Sequence, residues 1–260
     1  QMTLRQQKAV VIHPTGCKVV RIEGDDDRAI EDSLIAAITD QTAAIFTVAS
    51  SKIESAPLPI AVEIGKARGV PVIVDAAYEI PPKENLWYYT KEVGVDAAIF
   101  SGGKALRGPS STGLIVGRKE IVVSCRVHAR PNGGVGFASK VGKEEVVGLY
   151  AAIKRLLEVG EEDHYARCGR QMDYIESELK DMPFLHLTRH EHGSWGDEFG
   201  VALHIEEGSP YKDVRAFMAE GTPYIELSSQ FDALFVCVST LKDGDEVVVV
   251  EKLKKALAVR

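Results

Sequence analysis

The chain has 260 residues, 45% hydrophobic and 27% charged, with a formal net charge of -7. That is a globular composition, long enough for one large domain or two small ones. The acidic balance argues against a polyanionic partner such as DNA or tRNA, because phosphate neutralisation needs clustered Lys and Arg, and it leaves a small anionic ligand open.

The four cysteines Cys17, Cys125, Cys168 and Cys237 are far apart and form no Cys-x-x-Cys pair. Neither a disulfide framework nor a zinc knuckle is expected, and reduced, buried thiols are. No apolar run approaches the roughly 20 residues that cross a bilayer. The first eight residues are polar and resemble neither a signal nor a transit peptide. A cytoplasmic protein with no membrane and no nucleic-acid partner is expected.

Short β-branched runs alternate with helical patterns. A strand is predicted over 18–22, a helix over 28–38 and a strand over 43–48. Residues 58–68 carry apolar side chains at helical spacing and stop at Gly69. Residues 70–74 are continuously apolar, the mark of a strand covered on both faces. Residues 84–93 read as a helix closed by Gly94, and 97–100 and 114–116 as two further strands. This alternation argues for a mostly parallel sheet with helices on both sides. From 143 to 180 the chain reads as helical, with a broad apolar face from Val146, Val147, Leu149, Tyr150, Ile153, Leu156 and Leu157. Strands at 185–188, 201–205 and 234–238 and helices at 211–219 and 246–257 follow. The expected organisation is an α/β large domain over 1–142 and a linking helix with a smaller α+β domain over 143–260.

Two residues stand at a telling distance. Asp75 ends the buried strand Pro71-Val72-Ile73-Val74, and Lys104 lies 29 residues on, in Phe100-Ser101-Gly102-Gly103-Lys104. In a parallel α/β sheet, ligands bind beyond the carboxyl ends of strands, and both residues sit at such ends. Pyridoxal 5'-phosphate chemistry needs a lysine amine for a Schiff base and a carboxylate that keeps the pyridine nitrogen protonated. Ala76 and Ala77 leave flat space for a ring. Ser101, Gly102 and Gly103 let backbone and hydroxyl approach a phosphate. The loop Arg107-Gly108-Pro109-Ser110-Ser111-Thr112-Gly113 adds a cation and three hydroxyls suited to a second anion contact. Against this, an Asp at a strand end is also a common turn former, and a lysine in a glycine loop is also commonly solvated.

The longer pattern narrows the choice. The run Pro71-Val72-Ile73-Val74-Asp75-Ala76-Ala77, then Pro81-Pro82 and Glu84-Asn85-Leu86, then Phe100 through Lys104 and Arg107-Gly108-Pro109 to Gly113 is similar to the L-seryl-tRNA(Sec) selenium transferase and D-glucosaminate-6-phosphate ammonia-lyase-like family of PLP-dependent fold-type I enzymes. Lys140-Val141-Gly142-Lys143-Glu144-Glu145-Val146-Val147-Gly148-Leu149 also resembles it, and Gly221-Thr222-Pro223-Tyr224-Ile225 matches more loosely. The resemblance implies Lys104 as the Schiff-base lysine and Asp75 as the pyridinium partner. It implies cofactor contacts at Ala77, Ser101, Gly103 and Ser111, and a homodimer or higher homo-oligomer. Relative to that family the chain opens inside the large domain, so the segment that binds most of the phosphate is expected either to precede the given residues, to come from another chain, or to be missing from a remnant. The implied reaction is α,β-elimination on a small 2-amino-3-hydroxy acid, giving a 2-keto acid and ammonia. Selenium transferase-like β-substitution, aminotransfer and a non-catalytic subunit or remnant of the same fold remain open beside it.

Other constellations are weaker. Gly133-Gly134-Val135-Gly136 lacks the third glycine of a dinucleotide fingerprint and follows Pro131-Asn132, so it reads as a loop. Asn132 with Arg126, His128, Arg130 and Arg107 could meet a substrate anion or form a solvated basic turn. His186, His190 and His192 have no helical ligand spacing, and no metal site is expected there. Trp87, Tyr88 and Tyr89 read as helix packing and subunit contact.

Overall fold

The computed structural model describes residues 15–49, 57–191 and 199–258. It forms two units, Gln1–Arg155 and Leu156–Arg260. The first contains α1 (Asp27–Ala37), β1 (Ile45–Val48), α2 (Leu58–Arg68), β2 (Val72–Asp75), α3 (Asn85–Tyr88), β3 (Ala97–Ser101), β4 (Gly113–Gly117) and α4 (Lys119–His128). Helix α5 (Lys143–Val159) runs across the division.

The sheet of the first unit has the order β1-β2-β3-β4. The first three strands are parallel and β4 is antiparallel to β3. A loop over 102–112 connects β3 to β4 with no crossover helix, so the chain returns in the opposite direction. Register then sorts the side chains onto two faces. Thr47, Val74, Ala98 and Val116 stand side by side on one face. Thr47, Val74 and Ala98 there are buried. Val48, Asp75, Ile99 and Ile115 stand side by side on the other. That second face is less covered, with Phe46 and Ile115 exposed.

Helix α2 lies close to β1 and β2 because Gly65 has no side chain. A Cβ there would stand 2.5 Å from Val72 Cγ2 and 2.8 Å from the Val70 carbonyl oxygen. The helix stops where its sequence says: Gly69 is left-handed at φ 66° and its N–H caps the last turn.

The second unit is a four-stranded antiparallel sheet of order β5-β6-β8-β7, made of β5 (Leu185–His190), β6 (Gly200–Ile205), β7 (Ser228–Gln230) and β8 (Ala233–Cys237). With it go α6 (Glu162–Leu179), α7 (Val214–Met218) and α8 (Asp245–Ala256). Met172, Ile175 and Leu179 of α6 join Val201, Leu203 and Leu253 in one buried core. Lys252 crosses to the end of α7, where its ammonium donates to the carbonyls of Met218 at 2.8 Å and Glu220 at 2.6 Å.

Several expectations are corrected. Residues 18–22 form no strand, and Val20 is 54% exposed. An isolated alternating run has no ladder to join, and pairing rather than propensity makes a strand. The helix expected over 84–93 is α-helical only to Tyr88 and continues as a π-helical turn, Tyr89–Val93. The helical stretch from 143 breaks at Gly160, left-handed at φ 76°, before α6. Arg126 and His128 lie in α4 rather than in a turn. Cys17 and Cys125 are exposed, against the expectation of buried thiols. Among the described residues no helix is long and apolar enough to cross a membrane.

Candidate active site

Asp75 is the last residue of β2, and Ile99 is its partner across the parallel pair. Its carboxylate is half-buried on the less covered face, and Oδ1 accepts from the Ala77 N–H at 3.0 Å. The Ala76 N–H in turn donates to the Ile99 carbonyl at 2.8 Å, so the strand pairing extends one residue past the carboxylate. Ala76 is fully buried and Ala77 half-buried, which leaves a low surface beside Asp75.

Ser101 ends β3 on the same face as Ile99, two residues further along the strand. The loop that follows folds tightly on itself. Gly102 N–H donates to the Thr112 carbonyl at 2.9 Å, and the Gly102 carbonyl accepts from Gly108 N–H at 2.7 Å. Thr112 is buried and its hydroxyl donates to the Pro109 carbonyl at 2.6 Å. A Cβ on Gly103 would stand 2.2 Å from Ser110 Cα, and one on Gly102 would stand 2.0 Å from Thr112 Oγ1. The two glycines are therefore fixed by close packing inside the loop.

Lys104 sits at the turn of this loop, and its carbonyl accepts from the Arg107 N–H at 2.8 Å. The Lys104 Nζ lies 2.9 Å from the centroid of the Tyr78 ring. Arg107 is exposed and left-handed at φ 61°, a conformation that costs a branched or long side chain energy and recurs at functional sites. Helix α5 backs the loop: a Cβ on Gly148 would meet Pro109 Cγ at 2.7 Å, and one on Gly108 would meet Ala152 Cβ at 3.5 Å.

The remaining sequence candidates lie apart from this pair in the chain's bonding. Ser111 is exposed, and its hydroxyl donates to Glu145 near the start of α5. That bond, with the Gly142 N–H donating to the other oxygen, holds the Glu145 carboxyl below its ordinary range. Arg130 stacks on Phe137, its guanidinium carbon 3.6 Å from the ring centroid, and Nε donates to the Phe137 carbonyl. Asn132 Nδ2 donates to the Arg126 carbonyl at 3.1 Å. His190 ends β5, His186 lies in it, and His192 is outside the described residues. Among the described residues no group of three His, Cys, Asp or Glu could hold a metal ion.

Sequence reading passed over two residues here, Tyr78 and Glu79. With Ile80 they fill the gap between Ala76-Ala77 and Pro81-Pro82. The signal was an aromatic and an acid immediately after a strand-ending carboxylate. Glu79 is half-buried, and Tyr89 donates to its Oε2 at 3.1 Å. Burial raises the Glu79 carboxyl above its ordinary range, and the Tyr89 bond only partly offsets this.

A mostly parallel sheet with a carboxylate at one strand end and a lysine loop beyond the neighbouring strand defines a fold-type I frame. Residues 8–195 match the class-V aminotransferase family, and the chain belongs to that family. Among curated relatives it is 31% identical over 231 residues to a 5'-C-glycyluridine monooxygenase-decarboxylase of a Streptomyces species, covering 85% of this chain and 56% of that protein. It is 35% identical over 142 residues to the D-glucosaminate-6-phosphate ammonia lyase of Salmonella typhimurium, covering 54% of this chain and 36% of that protein. A solved structure of a D-glucosaminate-6-phosphate ammonia-lyase shares the fold with a TM-score of 0.69 at 22% identity, covering 93% of this chain and 64% of that one. The chain thus spans between about a third and two thirds of these proteins. Family membership implies pyridoxal 5'-phosphate as the cofactor, and the donor set fits it: one amine and one carboxylate at neighbouring ends of one sheet.

Proposed function

We propose that this chain is the lysine-bearing part of a PLP-dependent lyase acting on a small 2-amino-3-hydroxy acid. The observation that carries the reading is the pair Asp75 and Lys104, set beyond adjacent parallel strands of a class-V aminotransferase fold. Likeness to ammonia lyases in sequence and fold supports elimination as the reaction.

When bound, pyridoxal phosphate supplies an electron sink joined to the substrate amine. Lys104 would hold the cofactor through Nζ, and the same amine, when free, would be the base at the substrate Cα. Asp75 would hold the proton on the pyridine nitrogen, and the Ala77 N–H fixes the carboxylate's rotation. The backbone of Ser101 and Gly103 would contact the cofactor and Ala77 would lie beside its ring, and the Ser111 hydroxyl would join them on leaving Glu145. Arg107 would supply a donor for the substrate's anionic group, and Arg130 and Asn132 would do so on leaving Phe137 and the Arg126 carbonyl.

The reading includes a homodimer. The exposed apolar side chains Val146, Val147 and Tyr150 along α5 support it. It also includes a cytoplasmic location, supported by four free cysteines.

The test is product analysis of the purified protein with PLP and a panel of 2-amino-3-hydroxy acids. Stoichiometric ammonia and 2-keto acid support elimination. Keto acid formed only with an added keto-acid acceptor, and without ammonia, replaces it with aminotransfer. Neither product from any member of the panel contradicts the lyase reading.

A further inference from the structure

Tyr78 and Glu79 have no part in the reading above, yet they join the two halves of the site. The Lys104 Nζ lies over the face of the Tyr78 ring, 2.9 Å from its centroid. The turn that carries Tyr78 is closed by the Glu79 N–H donating to the Ala76 carbonyl at 3.0 Å. Two further bonds tie that turn to the helical segment beneath it: the Tyr89 hydroxyl donates to Glu79 Oε2 at 3.1 Å, and Asn85 Nδ2 donates to the Glu79 carbonyl. Tyr89 is itself buried against Phe100 of β3, with ring centroids 6.2 Å apart. The contacts therefore close a circuit. They run from Phe100 through Tyr89 and Glu79 to Tyr78, and Tyr78 meets the lysine four residues after Phe100.

An aromatic face carries negative quadrupole density and attracts an ammonium. A ring on a turn held at both ends offers that face at a fixed place, so a long, flexible lysine loses much of its freedom to wander. We propose that Tyr78 is a positioning residue whose ring face holds the Lys104 amine at the ends of β2 and β3, and that Glu79 with Tyr89 fixes the turn that presents the ring. The inference rests on reading Lys104 as the cofactor lysine and deepens it. The ring holds the amine at that place whenever Nζ is not bonded to cofactor. Among the described residues, the charged or titratable groups on the elements that form this corner include Asp75 at the end of β2, Glu79, Lys83, Glu84, Tyr88 and Tyr89 in the turn and the helical segment after it, Arg107 in the lysine's own loop, and Glu145 at the start of α5.

The test reads the amine directly. The purified protein, stripped of cofactor, is reductively methylated with 13C-formaldehyde, and the Lys104 signal is assigned by its loss in Lys104→Arg. The expected signal is shifted upfield by the Tyr78 ring current. It stays shifted in Tyr78→Phe, returns to the ordinary lysine position in Tyr78→Leu, and moves part of the way in Tyr89→Phe. An unshifted Lys104 signal in the unsubstituted protein overturns the proposal, and that observation needs no variant to fold. So does a shift unchanged in a folded Tyr78→Leu. Capture of PLP is scored separately: a shifted signal without capture defeats the cofactor reading and keeps this contact, and capture without the shift does the reverse.

Discussion

Asp75 stands opposite Ile99 in the parallel β2–β3 register, and Lys104 follows Ile99 by five residues. The carboxylate and the lysine loop therefore leave the sheet at the same end. The buried strand row of Thr47, Val74 and Ala98 fixes that level, because a slip of one residue would turn Asp75 into the core. The placement of this pair and the packing of the core are here one constraint.

Asp75→Asn separates the two. The amide oxygen still accepts from the Ala77 N–H, so the fold is kept, while the negative charge is lost. The urea midpoint is expected to stay unchanged and the turnover to ammonia to fall by about 10²-fold or more. A folded Asp75→Asn protein with full turnover would remove Asp75 from the site.

The lysine loop is packed too tightly for a side chain at its glycines. Gly103→Ala places a methyl against the Ser110 backbone, which has no rotamer to relieve it. A loss of about 1–3 kcal/mol is expected from urea unfolding. Gly133→Ala, with nothing within 4 Å of the added Cβ, is the control and should change the midpoint little.

Glu79 gives the first unit a pH signature. Its folded carboxyl titrates above its ordinary range because burial penalises the charge. The folded state thus binds the proton more tightly than the unfolded one, and stability falls as pH rises from the ordinary carboxylate range through the folded value. Glu79→Gln removes that dependence. Its urea midpoint, relative to the unsubstituted protein, should improve on going from acid to neutral pH, and a constant difference across that span would contradict the assignment.

His190 has the opposite sign. Burial and, second, the nearby His204 lower its basicity, and its ring stacks on Phe231 at 3.7 Å. The unfolded state binds the proton more tightly, so this contribution is present above the ordinary histidine range and is lost as pH falls through it. The denaturation midpoint of the second unit should drop on acidification through that range, and the drop should be smaller in His190→Gln.

The β7–β8 turn holds Phe231 and Asp232 both left-handed at φ 55°. Two-residue hairpins of this kind favour glycine at the second position. Asp232→Gly is expected to stabilise by about 0.5–1 kcal/mol, read as a rise in Tm.

Much of this was legible in the sequence, and the reasons for the rest are physical. The α2 helix with its stop at Gly69 and the strand ending at Asp75 carry strong local signals, and both are found. Residues 18–22 looked like a strand because alternation is local, while strand formation needs a neighbour. Helix α4 was hidden by Ile121, Val122 and Val123, whose β-branched run speaks for a strand, and by its shallow burial. The β7–β8 hairpin has Phe231-Asp232 where a turn reader looks for Asn-Gly. Lys104 and Asp75 could be paired from strand ends and motif. Tyr78 could not, because its place over the lysine depends on Glu79 reaching Tyr89, a bond across ten residues and two elements.

The central claim is that Lys104 carries the cofactor. Its most direct measurement is borohydride reduction of the protein after incubation with PLP, followed by peptide mass analysis. The account predicts pyridoxyl modification at Lys104 as the dominant site and its loss in Lys104→Ala. A pyridoxyl group found chiefly on another lysine, with Lys104 unmodified in folded protein, would contradict it.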